Sequence, residues 1–522
     1  MIIRSPIPDV DIPKVDILTH LFPDGKPVSD NPVWIDAANP QNHLSPRQLL
    51  LWVKRLALGL DRLGSKHGDI VMIYTPNTIF VPVAYLGIVG SSRAFSAANP
   101  IYTVPEVTHQ LRNTGAQQAC RRNGSSNSTT MDGIRDWREM IASPQEAESY
   151  QWRRLRGEEA VQTVATINYS SGTTGLPKGV CVSHYNLIAN VEQTVSIRWQ
   201  GVDFARGGKV DERWIGFLPL YHAYGQLYVN LIATKCNVPV YVMKQFVYGD
   251  FLRHIQDFKI THLQVAPPIL VMLAKRPETA KYDLSSLKGM LCGAAPLSKE
   301  LQNLISRNFN VEVKQGWGMT EVTTSGILER TPSDTGTVGV LIANQEAKLV
   351  DDDGNEVGYG SPGEIYIRGP NVCLGYFKNE AATKEALSPD GWLKTGDVAV
   401  VNKEGLFWIV DRKKELIKVN ALQVAPAELE AVLLEHDDIA DAAAVGITLH
   451  EEEWPRAYVA LKDHAKGKLT AKDIQQWMKG KVAKHKQLVG GIAFVDEVPE
   501  IGFGEDPAEG YEGVGEEGCA GD

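Results

Sequence analysis

The chain has no apolar run long enough to span a bilayer, and its opening, MIIRSPIPDVDIPKVD, is too polar for a secretory signal. Its six cysteines (Cys120, Cys181, Cys236, Cys292, Cys373 and Cys519) are scattered, with no C-x-x-C pair. That pattern argues against a disulfide framework or a zinc site and fits a reducing compartment. Basic charge is not in excess either: a net charge of −10 disfavours nucleic acid as a partner. Much of this charge is local, because residues 501–522 hold seven acidic groups and no Lys or Arg, which leaves −3 elsewhere. No S-K-L-type tripeptide closes the sequence, so a cytoplasmic location is expected. What is present is 522 residues, 43% apolar and 22% charged, which predicts a soluble globular protein of two or more domains.

The chain is organised around Tyr169 to Val180, YSSGTTGLPKGV. The β-branched run Val164–Asn168 before it and Val180–Val182 after it read as buried strands, and Ser183-His184 opens a helix from Tyr185. This loop therefore joins strand to strand, and its Gly172, Gly175 and Lys178 do not have Walker spacing. Glycines let backbone N–H groups converge on an anion. Ser170, Ser171, Thr173 and Thr174 add hydroxyl donors, and Lys178 adds a positive charge. The competing reading is a Gly/Ser/Thr surface loop. The flanking apolar strands and the lack of any acidic residue favour anion binding.

Upstream, Ser45-Pro46 starts a helix carrying Leu49, Trp52, Val53, Leu56, Leu60 and Leu63 at helical spacing up to Gly64. Ile70–Tyr74 reads as a strand, Pro76-Asn77 as the start of a second helix ending near Gly90, and Ala94-Phe95 as the next strand. Together they form a βαβ unit that predicts parallel α/β architecture. Residues 116–131 (AQQACRRNGSSNSTTM) lack either periodicity and read as linker, with lower stability expected there.

The central stretch resembles the nucleotide-binding signature of the adenylate-forming superfamily (acyl-CoA synthetases, luciferases, peptide-synthetase adenylation domains). ANPIYT around Asn99, Pro100 and Tyr102 brings it closest to the 4-coumarate–CoA ligase-like branch. The resemblance covers most of residues 30–500. It implies a large N-terminal domain of packed α/β subdomains (1–412), with an irregular, apparently shortened segment at 116–135, and a small mobile α+β C-terminal domain (413–500). Relatives carry a further strand and helix near the shortened segment, and a gene-model error or a genuine shortening are the open explanations. It also implies ATP, Mg2+ and coenzyme A as cofactor and co-substrates.

Residue by residue, the resemblance implies that His222 and Tyr224, in LPLYHAYG, line the acyl pocket with Gly293 and Gly316. A histidine beside aromatics is also commonly a packed core residue, and pocket lining is favoured over a general-base role. Gly293, Ala294 and Ala295 would let adenine lie against the backbone, and Gln315, Gly316, Trp317, Gly318, Met319 and Thr320 would continue that site. A hard dication bridging phosphates takes one or two carboxylates and water, so Glu321 is the expected metal ligand. By resemblance, Asp397 accepts the ribose hydroxyls, although its stretch reads as a polar turn on composition. Arg412 reaches ribose or phosphate, Lys414 is the hinge, and Lys418 and Gln423 complete the nucleotide set. Lys178, His222, Thr320, Glu321 and Lys418 are the catalytic candidates.

Two departures from the family stand out. Asn420-Ala421 replaces lysine-glycine at the pantetheine tunnel, so a methyl group and a restricted φ burden thioester formation. After Val495–Pro499 the chain reads EIGFGEDPAEGYEGVGEEGCAGD, with no lysine beyond Lys486 where relatives supply a catalytic one. Composition predicts disorder for 501–522. The expectation is an ATP-dependent acid–CoA ligase, aryl or aliphatic, with impaired adenylation. The alternative is a nucleotide- or acyl-binding protein without turnover. Loading onto a carrier protein is disfavoured because no carrier domain follows residue 500.

Overall fold

The computed structural model describes residues 1–100, 102, 104–116, 118–121, 134–170, 177–204, 207–413, 415–419, 422–449 and 452–498. It is mixed α/β, with a large N-terminal part and a smaller C-terminal part, as the resemblance implies. Three sheets build the large part. The first has seven strands in the order Gly375–Tyr376, Lys178–Ser183, Val164–Ser170, Ala94–Ala98, Ile70–Tyr74, Gln118–Arg121 and Ile134–Asp136. Ile70–Tyr74 and Ala94–Ala98 pair in parallel around the Val81–Gly90 helix, which is the predicted βαβ unit.

Two expectations are corrected here. The helix does not begin at Pro76-Asn77. The Asn77 amide is committed to the interior, where it donates to the Phe217 and Leu218 carbonyls and accepts from the Leu220 N–H, so the preceding segment stays a loop. Residues 116–131 are not all linker either, because Gln118–Arg121 forms a strand alongside Val71–Tyr74. That pairing is non-local, and no periodicity within a short polar run reports it. Residues 122–133 and the 501–522 tail lie outside the described residues.

The second sheet has nine strands and carries Gly289–Cys292 and Glu312–Trp317 side by side in parallel. The third is a five-stranded antiparallel sheet that includes Gly363–Arg368, Leu393–Val401 and Phe407–Arg412. Asp397 therefore stands on a strand, not in the polar turn its composition suggests. The smaller part holds a two-stranded ribbon, Ile417–Val419 with Leu422–Val424, and a three-stranded sheet packed with the Pro426–Leu434 and Ala471–Lys479 helices.

The helix starts predicted at Ser45 and Ser183 hold. Ser45 and Ser183 both make capping boxes, for the Pro46–Arg62 and His184–Arg198 helices. The second of these helices ties the sheets together. Asn190 Nδ2 donates to the Ser325 carbonyl at 2.7 Å, and Asn190 Oδ1 accepts the Ser325 N–H at 3.0 Å. Asn371 Nδ2 adds bonds to the Val322 and Ser325 carbonyls. The segment after Glu321 is thereby clamped by buried amides. Asn190→Ala leaves the buried Ser325 N–H unpaired, a cost of about 1–3 kcal/mol. A fall of several degrees in the thermal midpoint is expected, and an unchanged midpoint would show that the clamp contributes nothing.

Candidate functional site

Side chains at the ends of the three sheets come together, Ser170 with Glu321 and Trp317 with Asp397. The hairpin of the first sheet ends here in the register Ser170↔Lys178, so these two residues are the last paired positions before the connecting loop. Ser171, Gly172, Thr173, Thr174 and Gly175 lie outside the described residues. From the second sheet, the Glu312–Trp317 strand runs into a single 3-10 turn, Thr320–Val322, which carries Glu321. Glu321 is buried, and its Oε1 accepts from the Ser170 hydroxyl at 3.2 Å and the Tyr376 hydroxyl at 2.9 Å. Burial raises its pKa, opposed by those two donors and by the Lys178 charge. The sequence-predicted hydroxyl, cation and carboxylate are thus brought together.

Tyr376 was not among the residues singled out from the sequence. It lies on the short strand Gly375–Tyr376, antiparallel to Val180–Cys181, with the Lys178 ammonium 5.3 Å from its ring centroid. A two-residue strand leaves no pattern to read, and only its pairing places the ring.

Trp317 and Asp397 come together from different sheets: the indole N–H donates to Asp397 Oδ2 at 2.7 Å. The Arg412 guanidinium stands 3.8 Å from the other carboxylate oxygen and also donates to Glu415. Burial pushes Asp397 up to about 6, against the opposing pull of Arg412 and the indole. Gln315 is different. Its side-chain amide donates to Gln302 and its backbone N–H is taken by Glu329, so both groups are engaged within the protein. Gly318 is required sterically, because a Cβ there would run into the Thr324 carbonyl. Met319 is extended and packs partly buried beside Trp317, and Thr320 opens the 3-10 turn.

The acyl-pocket candidates also converge. A Cβ built on Gly293 would lie 3.7 Å from the Gly316 carbonyl and 3.9 Å from the Tyr224 ring. Tyr224 donates to the Leu291 carbonyl at 3.0 Å. Ala294 and Ala295 are exposed in the same turn, and Ala294 takes a left-handed φ of 74°, strained for a residue with a Cβ. His222 caps the short Ala223–Gly225 helix, its Nδ1 accepting the Tyr224 N–H. Burial pushes its pKa down to about 4, so at neutral pH the ring is uncharged and its proton sits on Nε2. That state can donate to a carboxylate.

Lys418 and Gln423 are partners across the two-stranded ribbon. Lys414, Asn420 and Ala421 lie outside the described residues. Asp411, between the two parts of the chain, accepts the Arg412 N–H and is pushed by burial to about 6.

If Asp397 must be ionised to accept a diol, AMP affinity falls as pH drops through about 6, by roughly tenfold per unit below it. The indole donor stabilises the charged carboxylate, so Trp317→Phe moves this midpoint upward. Calorimetric AMP titrations from pH 5 to 8 check both points, and a flat profile would contradict them.

A family model described as AMP-binding enzyme matches residues 24–377, and one described as AMP-binding enzyme C-terminal domain matches residues 428–504. Probable 4-coumarate–CoA ligase 2 of Dictyostelium discoideum is 34% identical over 497 residues, 87% of each chain. Phenylacetyl-CoA ligase epaB of Aspergillus niger is 34% identical, covering 95% of this chain and 96% of that one. Among solved structures, ATP-bound MatB from Rhodopseudomonas palustris superposes with a TM-score of 0.80 at 23% identity, covering 95% of this chain and 98% of that one. An anthranilate CoA ligase in complex with anthranoyl-AMP gives a TM-score of 0.81 at 22% identity, covering 95% and 96%. At such identities the structures speak for the fold, and the sequence matches speak for descent. The chain belongs to the AMP-binding enzyme family, in the 4-coumarate–CoA ligase-like branch of the adenylate-forming superfamily.

Proposed function

We propose that this chain is an AMP-forming acid–CoA ligase. In the first step a carboxylate oxygen attacks the α-phosphorus of ATP, forming the acyl-AMP anhydride as the Pα–O bond to pyrophosphate breaks. In the second, the thiol of coenzyme A attacks the acyl carbonyl, gives up its proton and displaces AMP. The observation that carries this reading is the meeting of Ser170, Lys178 and Glu321 across two sheets, with Asp397 and Arg412 arriving from a third.

Within it, Ser170, Lys178 and the loop they close hold the phosphates, and Asp397 takes the ribose hydroxyls beside Arg412. The uncharged His222 lines the acyl pocket beside the acid's carboxylate. Gly293, Gly316 and Tyr224 bound the acyl group, a shape suited to a flat aromatic or modest aliphatic acid. Trp317, whose N–H is spent on Asp397, belongs with the nucleotide. The oxygen donors Glu321 and Ser170 fit a hard dication such as Mg2+, which takes the rest of its ligands from phosphates and water. When bound, it would neutralise charge on the departing pyrophosphate. We place the boundary between large and small domains at 412/413, with Lys414 as hinge.

The finer reading is that adenylation is slow in this chain. No lysine follows Lys486, and Lys486 itself is paired with Glu428 at 2.6 Å. Losing one preorganised transition-state donor costs about 10²–10³ in rate. The same observation supports the second reading, a nucleotide- and acyl-binding protein without turnover.

Hydroxylamine trapping of acyl-AMP separates the two: hydroxamate above the no-ATP background is expected, and its absence across a panel of aryl and aliphatic acids would leave only binding. A Gly293→Ala change meets neighbours at ordinary contact distance and so keeps the fold. It should raise KM for the preferred aryl acid several-fold with ATP affinity unchanged, and equal loss toward both substrates would place Gly293 outside the acyl pocket.

A further inference from the structure

Lys178 and Glu321 present a physical problem. Lys178 pairs across its hairpin with Ser170, whose hydroxyl donates to the buried Glu321, and an ammonium and a carboxylate this close are drawn toward direct contact. Such a pair would consume both the phosphate cation and the metal carboxylate. Among the described residues Lys178 makes no ion pair, and what stands against both groups is Tyr376. Its hydroxyl donates to Glu321 Oε1 at 2.9 Å, and its ring carries the Lys178 ammonium at 5.3 Å from the centroid.

The ring is held from three directions. Leu374 and Phe377, on either side of the Gly375–Tyr376 strand, donate their N–H groups to the Cys181 and Gly179 carbonyls at 2.9 and 2.7 Å. The Cys373 N–H is bonded to the backbone carbonyl of Glu321 itself at 2.8 Å. The Tyr376 N–H is taken by Thr383 Oγ1 at 2.9 Å. Residues 373–377 are therefore laced to the strand that carries Lys178 and to the turn that carries Glu321, which fixes the backbone from which the phenol projects. Ser170 and Tyr376 both donate to Oε1, and no side chain among the described residues donates to Oε2.

We propose that Tyr376 is a positioning residue that keeps Glu321 and Lys178 from neutralising each other. Its hydroxyl takes one carboxylate oxygen and its ring face takes the ammonium, so both are presented to a metal–nucleoside triphosphate. This rests on the reading of Glu321 as metal carboxylate and Lys178 as phosphate cation. Tyr376 does not touch the reacting atoms. It sets the geometry of two groups that do.

The test uses the full chain with ATP, AMP and Mg2+ or Mn2+ as probes. In Tyr376→Phe the ring remains and the hydroxyl is lost. The Mg2+ concentration that half-saturates ATP binding should rise about tenfold or more, the size expected for one hydrogen bond to a charged group. Metal-free AMP affinity should stay at the wild-type value and serves as the control for folding. The Mn2+·ATP complex should show an altered electron paramagnetic resonance spectrum. In Tyr376→Leu both functions are lost, and ATP affinity should also fall without metal as Lys178 closes on Glu321. Wild-type metal dependence in both variants overturns the proposal, as does loss of AMP affinity in Tyr376→Phe, which would make the residue general scaffold. If the unaltered chain binds neither ATP nor AMP, the ligase reading fails and the proposal with it. If it binds ATP with a metal dependence that Glu321→Gln removes while the Tyr376 variants stay unaffected, only the proposal fails.

Discussion

A carboxylate taken out of water and left without a full ionic partner is the constraint on which the cleft depends. Glu321 hangs from the second sheet, but the side chains that satisfy it, Ser170 and Tyr376, belong to the first. Neither sheet alone can bury that charge, because an unpaired buried charge costs several kcal/mol. The carboxylate is stable in its place only when both sheets are docked, which makes it a check on assembly besides its proposed role as a metal ligand. The Asn190 and Asn371 amides do the corresponding work on the far side of the turn by fixing Ser325 and Val322. Glu321 thus sits on a short turn whose two flanks are determined by other parts of the chain.

A second group of carboxylates sits nearer the junction with the small part. Burial raises Asp397 and Asp411 to about 6 and Glu430 to about 7. Each folded-state value lies above the unfolded one, so the protonated forms favour folding. That contribution is present below the unfolded values and is lost as pH rises through about 6 to 7. At neutral pH the fold therefore holds Asp397 and Asp411 largely ionised in poorly solvated places, with Glu430 only partly so. This is the arrangement expected where a ligand, not the protein, supplies the missing donors. On the proposed reading the diol of a ribose would be such a donor for Asp397, whose carboxylate already meets the Trp317 indole and Arg412.

How much of this could be read from the chain follows from whether each feature is local. Capping at Ser45 and Ser183, the Ile70–Tyr74 strand and the hairpin around Tyr169–Val180 all come from neighbours in sequence, and all were legible. Glu321 could be singled out because a carboxylate after a glycine-flanked aromatic stands out in composition, and the structure places it against Ser170 and Tyr376. What could not be read depends on distant partners. Asn77 leaves the helix because carbonyls from Phe217 and Leu218 claim its amide. Gln118–Arg121 is a strand only because Ile70–Tyr74 offers an edge. Asp397 looks like a turn until Arg412 pairs with it across the third sheet. Tyr376 matters through two contacts to residues about 55 and 200 positions away, and no spacing rule reaches that far. Gln315 shows the other side of this: it falls in a nucleotide-binding motif, and the sequence does not announce that its amide donates to Gln302.

The same distinction between what each part supplies bears on the departures near the end of the chain. The groups that would hold phosphate, metal and ribose stand on the three sheets of the large part, and each can act on the bound ground state. A lysine contributed by the small domain would differ, because it would meet charge that develops as the α-phosphate is attacked. An interaction made only in the transition state raises kcat without tightening substrate binding. A chain that keeps the first set and lacks the second should therefore bind nucleotide with the affinity its cleft dictates and react slowly. Affinity for ATP is accordingly a test of the cleft alone. The rate of hydroxamate formation, compared with that affinity, reports on the small domain, so the two halves of the functional reading can fail independently.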